Sequence, residues 1–282
     1  MTEKGDILAS SRRLKRKRIL FRAALGAAGF LVSFAAVSAL FYIPALRIKN
    51  IVVRGNSILE SAEIISAVTQ TINGKYVGIF PKDSILVFPK EKISAELAKK
   101  FGRIKRVSVK RGFPDSLSVT IEERKPTALF CQENKQNYAA NFASKPGVGN
   151  ENVCYFIDQD GIVFEPAPNF SDNVYVKFYA EGGEAASGAG IPEKISGFKK
   201  MMWFAEAARN SGVDIIKVAM AKERMKKFYS SEGWFIMLNE NDDFQTAFEN
   251  LKLALGEKIK DNRKYLEYLD LRFGNKLFYK YK

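Results

Sequence analysis

The longest apolar stretch of the chain runs without a charge from Ala23 to Leu46 and is dominated by Phe30, Leu31, Val32, Phe34, Val37, Leu40 and Phe41. As a helix rising ~1.5 Å per residue it is about 36 Å long, enough to cross a hydrocarbon core of ~30 Å. After it the period changes. Ile48 to Arg54 reads as an apolar-rich strand followed by a Gly55-Asn56 turn. Ser57 and Glu60 form a capping-box signature that predicts a helix from about Ile58, with Ile58, Ala62, Ile65 and Val68 on its buried face. Residues 73 to 88, punctuated by Gly and Pro, read as a connection. Pro89 suits the first turn of a second helix, along which Ile93, Leu97 and Phe101 recur every four residues before Gly102 ends it. Val107 and Val109, then Leu117, Val119 and Ile121, alternate with polar neighbours and predict two half-buried strands across a Gly112-Phe113-Pro114-Asp115 turn. The order is β-α-α-β-β, with both helices on one face of a three-stranded sheet.

The remainder is built of shorter runs. Thr127 to Cys131, Cys154 to Ile157, Ile162 to Phe164 and Val174 to Tyr179 read as strands. The middle two form a hairpin across Asp158-Gln159-Asp160-Gly161, where Gly161 is free to take positive φ. A polar stretch from about Gln132 to Asn152 and a Gly/Ala/Ser-rich stretch from Gly182 to Gly190 read as surface loops. Pro192 opens a predicted helix with Ile195, Phe198, Met202 and Ala205 on one face. Strands follow at Ile215 to Met220, Lys227 to Ser230 and Trp234 to Leu238, and Phe244, Phe248, Leu251, Leu255 and Ile259 mark a long amphipathic helix. The chain closes with a hairpin, Tyr268 to Phe273 and Lys276 to Tyr281, across Gly274-Asn275. The division is 1–22 basic head, 23–46 transmembrane helix, 47–125 first module and 126–282 second module.

Charge sharpens this picture. The chain carries a net +14, and residues 1–22 hold eight basic and two acidic side chains of that balance. Arg12, Arg13, Lys15, Arg16, Lys17, Arg18 and Arg22 precede the apolar run, while only Arg47 and Lys49 follow closely. The positive-inside rule then predicts a cytoplasmic N-terminus and residues beyond about 47 outside. A cleaved signal peptide is the competing reading, but the run exceeds the usual apolar core of ~7–15 residues. A basic cluster abutting a span is what topology alone requires, so nucleic-acid binding is not expected.

The side chains that carry most enzyme chemistry are scarce. Histidine is absent, which removes the commonest general base and a principal metal ligand. Cys131 and Cys154 cannot assemble a four-cysteine zinc site or an iron–sulfur cluster. Asp158 and Asp160 lack the spacing of an EF-hand, and Gly182 to Gly190 lacks the Gly-x-Gly-x-x-Gly or Gly-Lys-Ser/Thr of a phosphate loop. Glu122/Glu123 and Asp242/Asp243 read as solvated surface pairs, and in a strand Glu122 and Glu123 point to opposite faces. The expectation is a binding protein with no catalytic residue, no cofactor and no metal. A membrane-tethered cell-envelope enzyme is the runner-up and needs convergent carboxylates in a cleft of the second module.

The run Val107-x-Val109-x-Arg111-x-x-Pro114-x-x-Leu117-x-Val119-x-Ile121-x-Glu123-Arg124-x-Pro126-x-Ala128 resembles a polypeptide-transport-associated (POTRA) domain. With the basic head, the span and a final hairpin carrying Asp270-Leu271-Arg272, the chain resembles the FtsQ/DivIB bacterial cell-division family along nearly its whole length. One departure is Asn239-Glu240-Asn241-Asp242-Asp243, where the family often has Leu-Gly. The resemblance implies an α+β fold: a single N-terminal transmembrane helix, a POTRA-type domain, then a mixed or antiparallel β-domain with flanking helices. It implies a septal membrane scaffold that links early and late division proteins, rather than a generic POTRA transport subunit, which would carry repeated modules.

The same resemblance implies partners: an FtsB/FtsL-like pair at the C-terminal strand, and other septal membrane proteins at the POTRA-like module. A terminal strand with unpaired backbone can receive a partner strand. The expected contact residues are Arg272, Phe273, Lys276, Leu277, Phe278, Tyr279, Lys280 and Tyr281, aromatics supplying pockets and cations meeting acidic groups. The family fold also places Cys131 and Cys154 in one sheet, where they either pair or stay as buried thiols.

Overall fold

A computed structural model of the chain describes residues 3–78, 80–132, 153–170, 173–180, 191–221, 224–274 and 276–282, with side chains described from residue 19 onward. The two loops expected around 132–152 and 182–190, and Asn275 of the closing turn, lie outside the described residues. The chain divides into two compact units, Met1–Glu123 and Arg124–Lys282.

The first unit opens with helix α1, Glu3–Leu40. Its portion Ile19–Leu40 is apolar and long enough to cross a membrane, and its large side chains are exposed. Three strands, β1 (Asn50–Arg54), β4 (Ile104–Gly112) and β5 (Ser116–Glu123), form a sheet in the order β1-β5-β4. A small hairpin, β2 (Lys75–Tyr76) and β3 (Phe80–Pro81), lies between helices α2 (Ser61–Ile72) and α3 (Lys90–Lys100). The alternation expected of β5 is realised: Leu117, Val119 and Ile121 are buried against Ile64, Ile93 and Leu97 in one core. Gly55 holds the turn after β1 at φ +80°, and a Cβ there would stand 2.2 Å from the Ile121 carbonyl oxygen, so only glycine fits.

The capping-box expectation is corrected. Helix α2 starts at Ser61, and neither Ser57 nor Glu60 caps it through a side chain. The Glu123 carboxylate instead accepts the backbone N–H groups of Ser57 at 2.8 Å, Ile58 at 3.1 Å and Leu59 at 3.0 Å. Those residues are thereby held outside the helix, Ile58 is 63% exposed, and the buried stripe is Ile64, Ala67, Val68 and Ile72. The same contacts overturn the solvated-surface reading of Glu123.

The second unit is a mixed nine-stranded sheet covered on one face by two helices. The strands are β6 (Ala128–Gln132), β7 (Val153–Ile157), β8 (Val163–Pro166), β9 (Lys177–Ala180), β10 (Ile215–Met220), β11 (Met225–Ser230), β12 (Phe235–Asn239), β13 (Leu266–Phe273) and β14 (Lys276–Tyr281). Their order across the sheet is β14-β13-β12-β11-β10-β9-β6-β7-β8. Phe130, Phe178, Val218, Phe228, Ile236 and Leu269 face helices α4 (Phe198–Asn210) and α5 (Phe244–Leu253) in a single core.

Helix α4 starts six residues later than Pro192 predicts. Gly197, at φ +68°, interrupts the chain before it, and Ile195 is tied back to Gly161 by a backbone hydrogen bond. Its buried face is accordingly Phe198, Met201, Phe204, Ala205 and Ala208, with Met202 only partly buried. Helix α5 is capped by Asp243, which accepts from Gln245 N–H, and Asp242 accepts from Asn239 N–H, so this acidic pair also serves the backbone. Cys131 and Cys154 are register partners on β6 and β7 and are joined as a disulfide, which settles the alternative left open by the sequence.

Candidate protein-docking edge

Strand β14 is the last strand of the sheet on the side where the order ends, so one of its backbone edges pairs with β13 and the other pairs with nothing among the described residues. The Asp270↔Phe278 and Tyr268↔Lys280 pairs fix its register. Alternation puts Leu277, Tyr279 and Tyr281 on the helix-covered side of the sheet and Phe278 and Lys280 on the other. Leu277 and Tyr281 lean on the helix-covered core, while Phe278 and Tyr279 remain 52% and 42% exposed. Phe273, just before the turn, is also exposed and meets the Phe278 ring edge-on at 5.3 Å. Tyr279 and Tyr281 form a second edge-on pair.

The cations at this edge differ in their engagement. Arg272 grips Asp270 with both Nε, at 2.8 Å, and Nη2, at 2.6 Å, and the hydrogen bond to that carboxylate holds the guanidinium pKa above its ordinary value. Lys280 contacts Glu267 at 2.6 Å, and that hydrogen bond raises the ammonium pKa. Lys276 makes no ion pair among the described residues. Of the three, it is the cation that meets an incoming acid without first leaving a partner.

A feature the sequence reading passes over lies on the sheet face opposite α4 and α5. Registers place Lys217 beside Tyr229, Tyr229 beside Phe235, Phe235 beside Tyr268, and Tyr268 beside Lys280. The rings follow one another at 5.2 Å and 5.8 Å, and the Lys217 ammonium stands 5.4 Å from the Tyr229 ring. An aromatic ladder flanked by lysine thus leads across four strands to the open edge. The alternation of each strand was legible, but strand order was not, because β12 and β13 are parallel neighbours joined through α5.

Two features bear on enzyme chemistry. Ser196 and Lys199 have the Ser-x-x-Lys spacing of a serine–lysine couple. The Ser196 hydroxyl donates to Glu240 at 2.6 Å and the Lys199 ammonium sits 2.7 Å from Asp160, so each is engaged by a different carboxylate. A groove of about 840 Å³ beside the end of α5 holds Glu232 and Asp261 among Lys252, Lys260, Arg263 and Lys264. Its Glu232 is gripped by Arg263 and also accepts from the Trp234 indole at 3.0 Å. Among the described residues no cluster of three or more His, Cys, Asp or Glu is arranged to hold a metal.

Comparison with known proteins agrees with this architecture. A family model described as POTRA domain, FtsQ-type, matches residues 46–124. The cell division protein FtsQ of Geobacter sp. (strain M21) is 23% identical over 209 residues, covering 72% of this chain and 68% of the relative. An apolar helix near the N-terminus fits a single-pass membrane protein. The chain thus carries an FtsQ-type POTRA domain and is similar over most of its length to a cell division protein FtsQ, which supports a role in cell division.

Proposed function

We propose that the protein is a non-enzymatic septal scaffold that receives an extended segment of an FtsB-like protein, accompanied by an FtsL-like protein, as an added strand on β14. The observation that carries this reading is the open backbone edge of β14, with Phe273, Phe278 and Tyr279 exposed around it. An unpaired edge of this kind either aggregates or is completed by another chain. Backbone pairing supplies affinity, and pockets between alternate side chains supply selectivity. An acidic side chain on the partner meets Lys276 first, and reaches Arg272 or Lys280 by exchanging with Asp270 or Glu267. The POTRA domain contacts other septal membrane proteins, and the basic head of residues 1–22 lies in the cytoplasm, with the bulk of the chain outside.

Co-purification of the full-length protein from growing cells tests this. Truncation after Asn275 removes β14 and is expected to abolish recovery of the FtsB/FtsL-like pair while leaving membrane insertion intact. Undiminished recovery with the truncated chain overturns the edge-strand reading.

A further inference from the structure

We infer that the β2–β3 hairpin of the POTRA domain is a membrane-surface anchor, with Val77 at its tip set into the lipid beside α1. The inference goes beyond the docking edge and requires only that Ile19–Leu40 cross the bilayer.

Three observations meet at this hairpin. The first is its tether to the span. Past Leu40 the chain has little slack, because the Leu46 carbonyl accepts from Ile85 N–H at 2.8 Å and Ile48 N–H donates to the Asp83 carbonyl at 2.8 Å. The stretch just after the hairpin is therefore fastened within a few residues of the end of the span.

The second observation is direct contact. The Phe80 ring meets Phe41 at 5.3 Å and Phe34 at 6.3 Å, both edge-on. Phe34 lies six residues before the end of α1, about 9 Å along the axis at ~1.5 Å per residue. A ring that touches Phe34 is therefore at the depth of the lipid, not above it.

The third is the tip itself. Val77 is 92% exposed and held at φ +49°. A β-branched residue in the left-handed region is strained, so neither its backbone conformation nor any packing within the protein accounts for a valine there. Lipid does. The chemistry around it is that of an interface: the Lys75 ammonium stands 5.8 Å from the Tyr42 ring and that of Lys82 stands 5.6 Å from the Tyr76 ring. Amphipathic rings and lysines at the headgroup level, with apolar side chains below, are how protein surfaces seat on a bilayer. The segment from Lys75 to Lys82 contains two lysines and no acid, which suits anionic phosphate headgroups.

The test uses the full chain reconstituted into phosphatidylethanolamine/phosphatidylglycerol vesicles. Its two native tryptophans, Trp203 and Trp234, lie in the second unit and supply a constant background. Val77→Trp is expected to emit at shorter wavelength than in buffer. Lipids brominated high on the acyl chain should quench its emission at least twofold more strongly than that of the parent chain. Quenching equal to the parent overturns the inference. The unaltered chain gives an independent reading with a photoactivatable phospholipid. Adducts on the tryptic peptide Tyr76–Lys82 are expected, and labelling confined to α1 overturns the anchor. Failure of the chain to float with vesicles removes the span itself, an outcome distinct from flotation without quenching, which removes only the role of the hairpin.

Discussion

The two ends of the nine-stranded sheet are finished in opposite ways. At the β6–β7–β8 end, Cys131 is bonded to Cys154 across neighbouring strands, and a second small core of Leu129, Phe156 and Tyr179 covers the face that α4 and α5 leave bare. Asp158, 1% exposed, completes the lock: it pairs with Arg124 at 2.5 Å and accepts the N–H groups of Asp160 and Ile162 at 2.9 Å and 3.0 Å. At the β13–β14 end no covalent tie is present among the described residues, the aromatics are half exposed, and the Lys280–Glu267 pair lies at the surface, while Arg272 is held by the buried Asp270. The covalently tied end adds stability, and on the function proposed above the β14 end keeps backbone available for another chain.

The largest effect is expected from breaking the closed end at its buried charge. Asp158→Ala leaves Arg124 without its carboxylate and the turn without its acceptor, and should cost about 3–5 kcal/mol, read as a lowered midpoint in chemical denaturation. Asp158→Asn keeps an oxygen for the turn and should lose less. Equal losses for the two variants would assign the effect to the charge rather than to the turn.

Replacing both cysteines with serine should come next. The disulfide closes a loop with a sequence separation of 23 residues, and the entropy it removes from the unfolded chain is worth about 3 kcal/mol. The reduced parent protein should match the double variant, with recovery of the partner pair unchanged in both.

A third case sharpens the comparison with the first unit. Burial alone would raise the Glu123 pKa, but hydrogen bonds from Ser57, Leu59 and Ile58, with the charge of Arg103, outweigh it and hold the carboxyl below its ordinary 4.5. A depressed folded pKa means stability that is present above pH 4.5 and lost as the pH falls through the folded value. Glu123→Gln should therefore cost about 1 kcal/mol at neutral pH, with the gap to the parent constant down to about pH 5 and closing below it. A gap that stays constant into acid would show that the charge is not what holds these N–H groups.

These cases also mark what was legible in the sequence. The span, the alternation of Leu117, Val119 and Ile121, and the closing hairpin each rest on neighbours close in sequence, and the sequence pattern shows them. Glu123 binds residues 64 to 66 positions away, so the local Ser57/Glu60 pair offered a plausible but wrong cap. The start of α4 was misplaced because Pro192 carries a helix-opening signal that Gly197 overrides. The aromatic ladder depends on strand order, which period-two patterning does not encode.

The open end should yield the smallest change in stability and the clearest change in function. Phe278 is 52% exposed and touches Phe273, itself 54% exposed, so Phe278→Asp removes little buried area and should move the unfolding free energy by no more than about 0.5 kcal/mol. The same change puts a carboxylate beside the backbone edge where an acidic partner segment would lie. Recovery of the FtsB/FtsL-like pair should then fall several-fold, and Lys276→Glu should act in the same direction. Phe278→Leu, which keeps an apolar side chain, should retain most of the binding. A Phe278→Asp chain that unfolds early would mean that β14 is part of the closed core, and one that is stable yet binds fully would mean that the partner lies elsewhere. Only a stable chain with lost binding is consistent with an edge kept open for another protein.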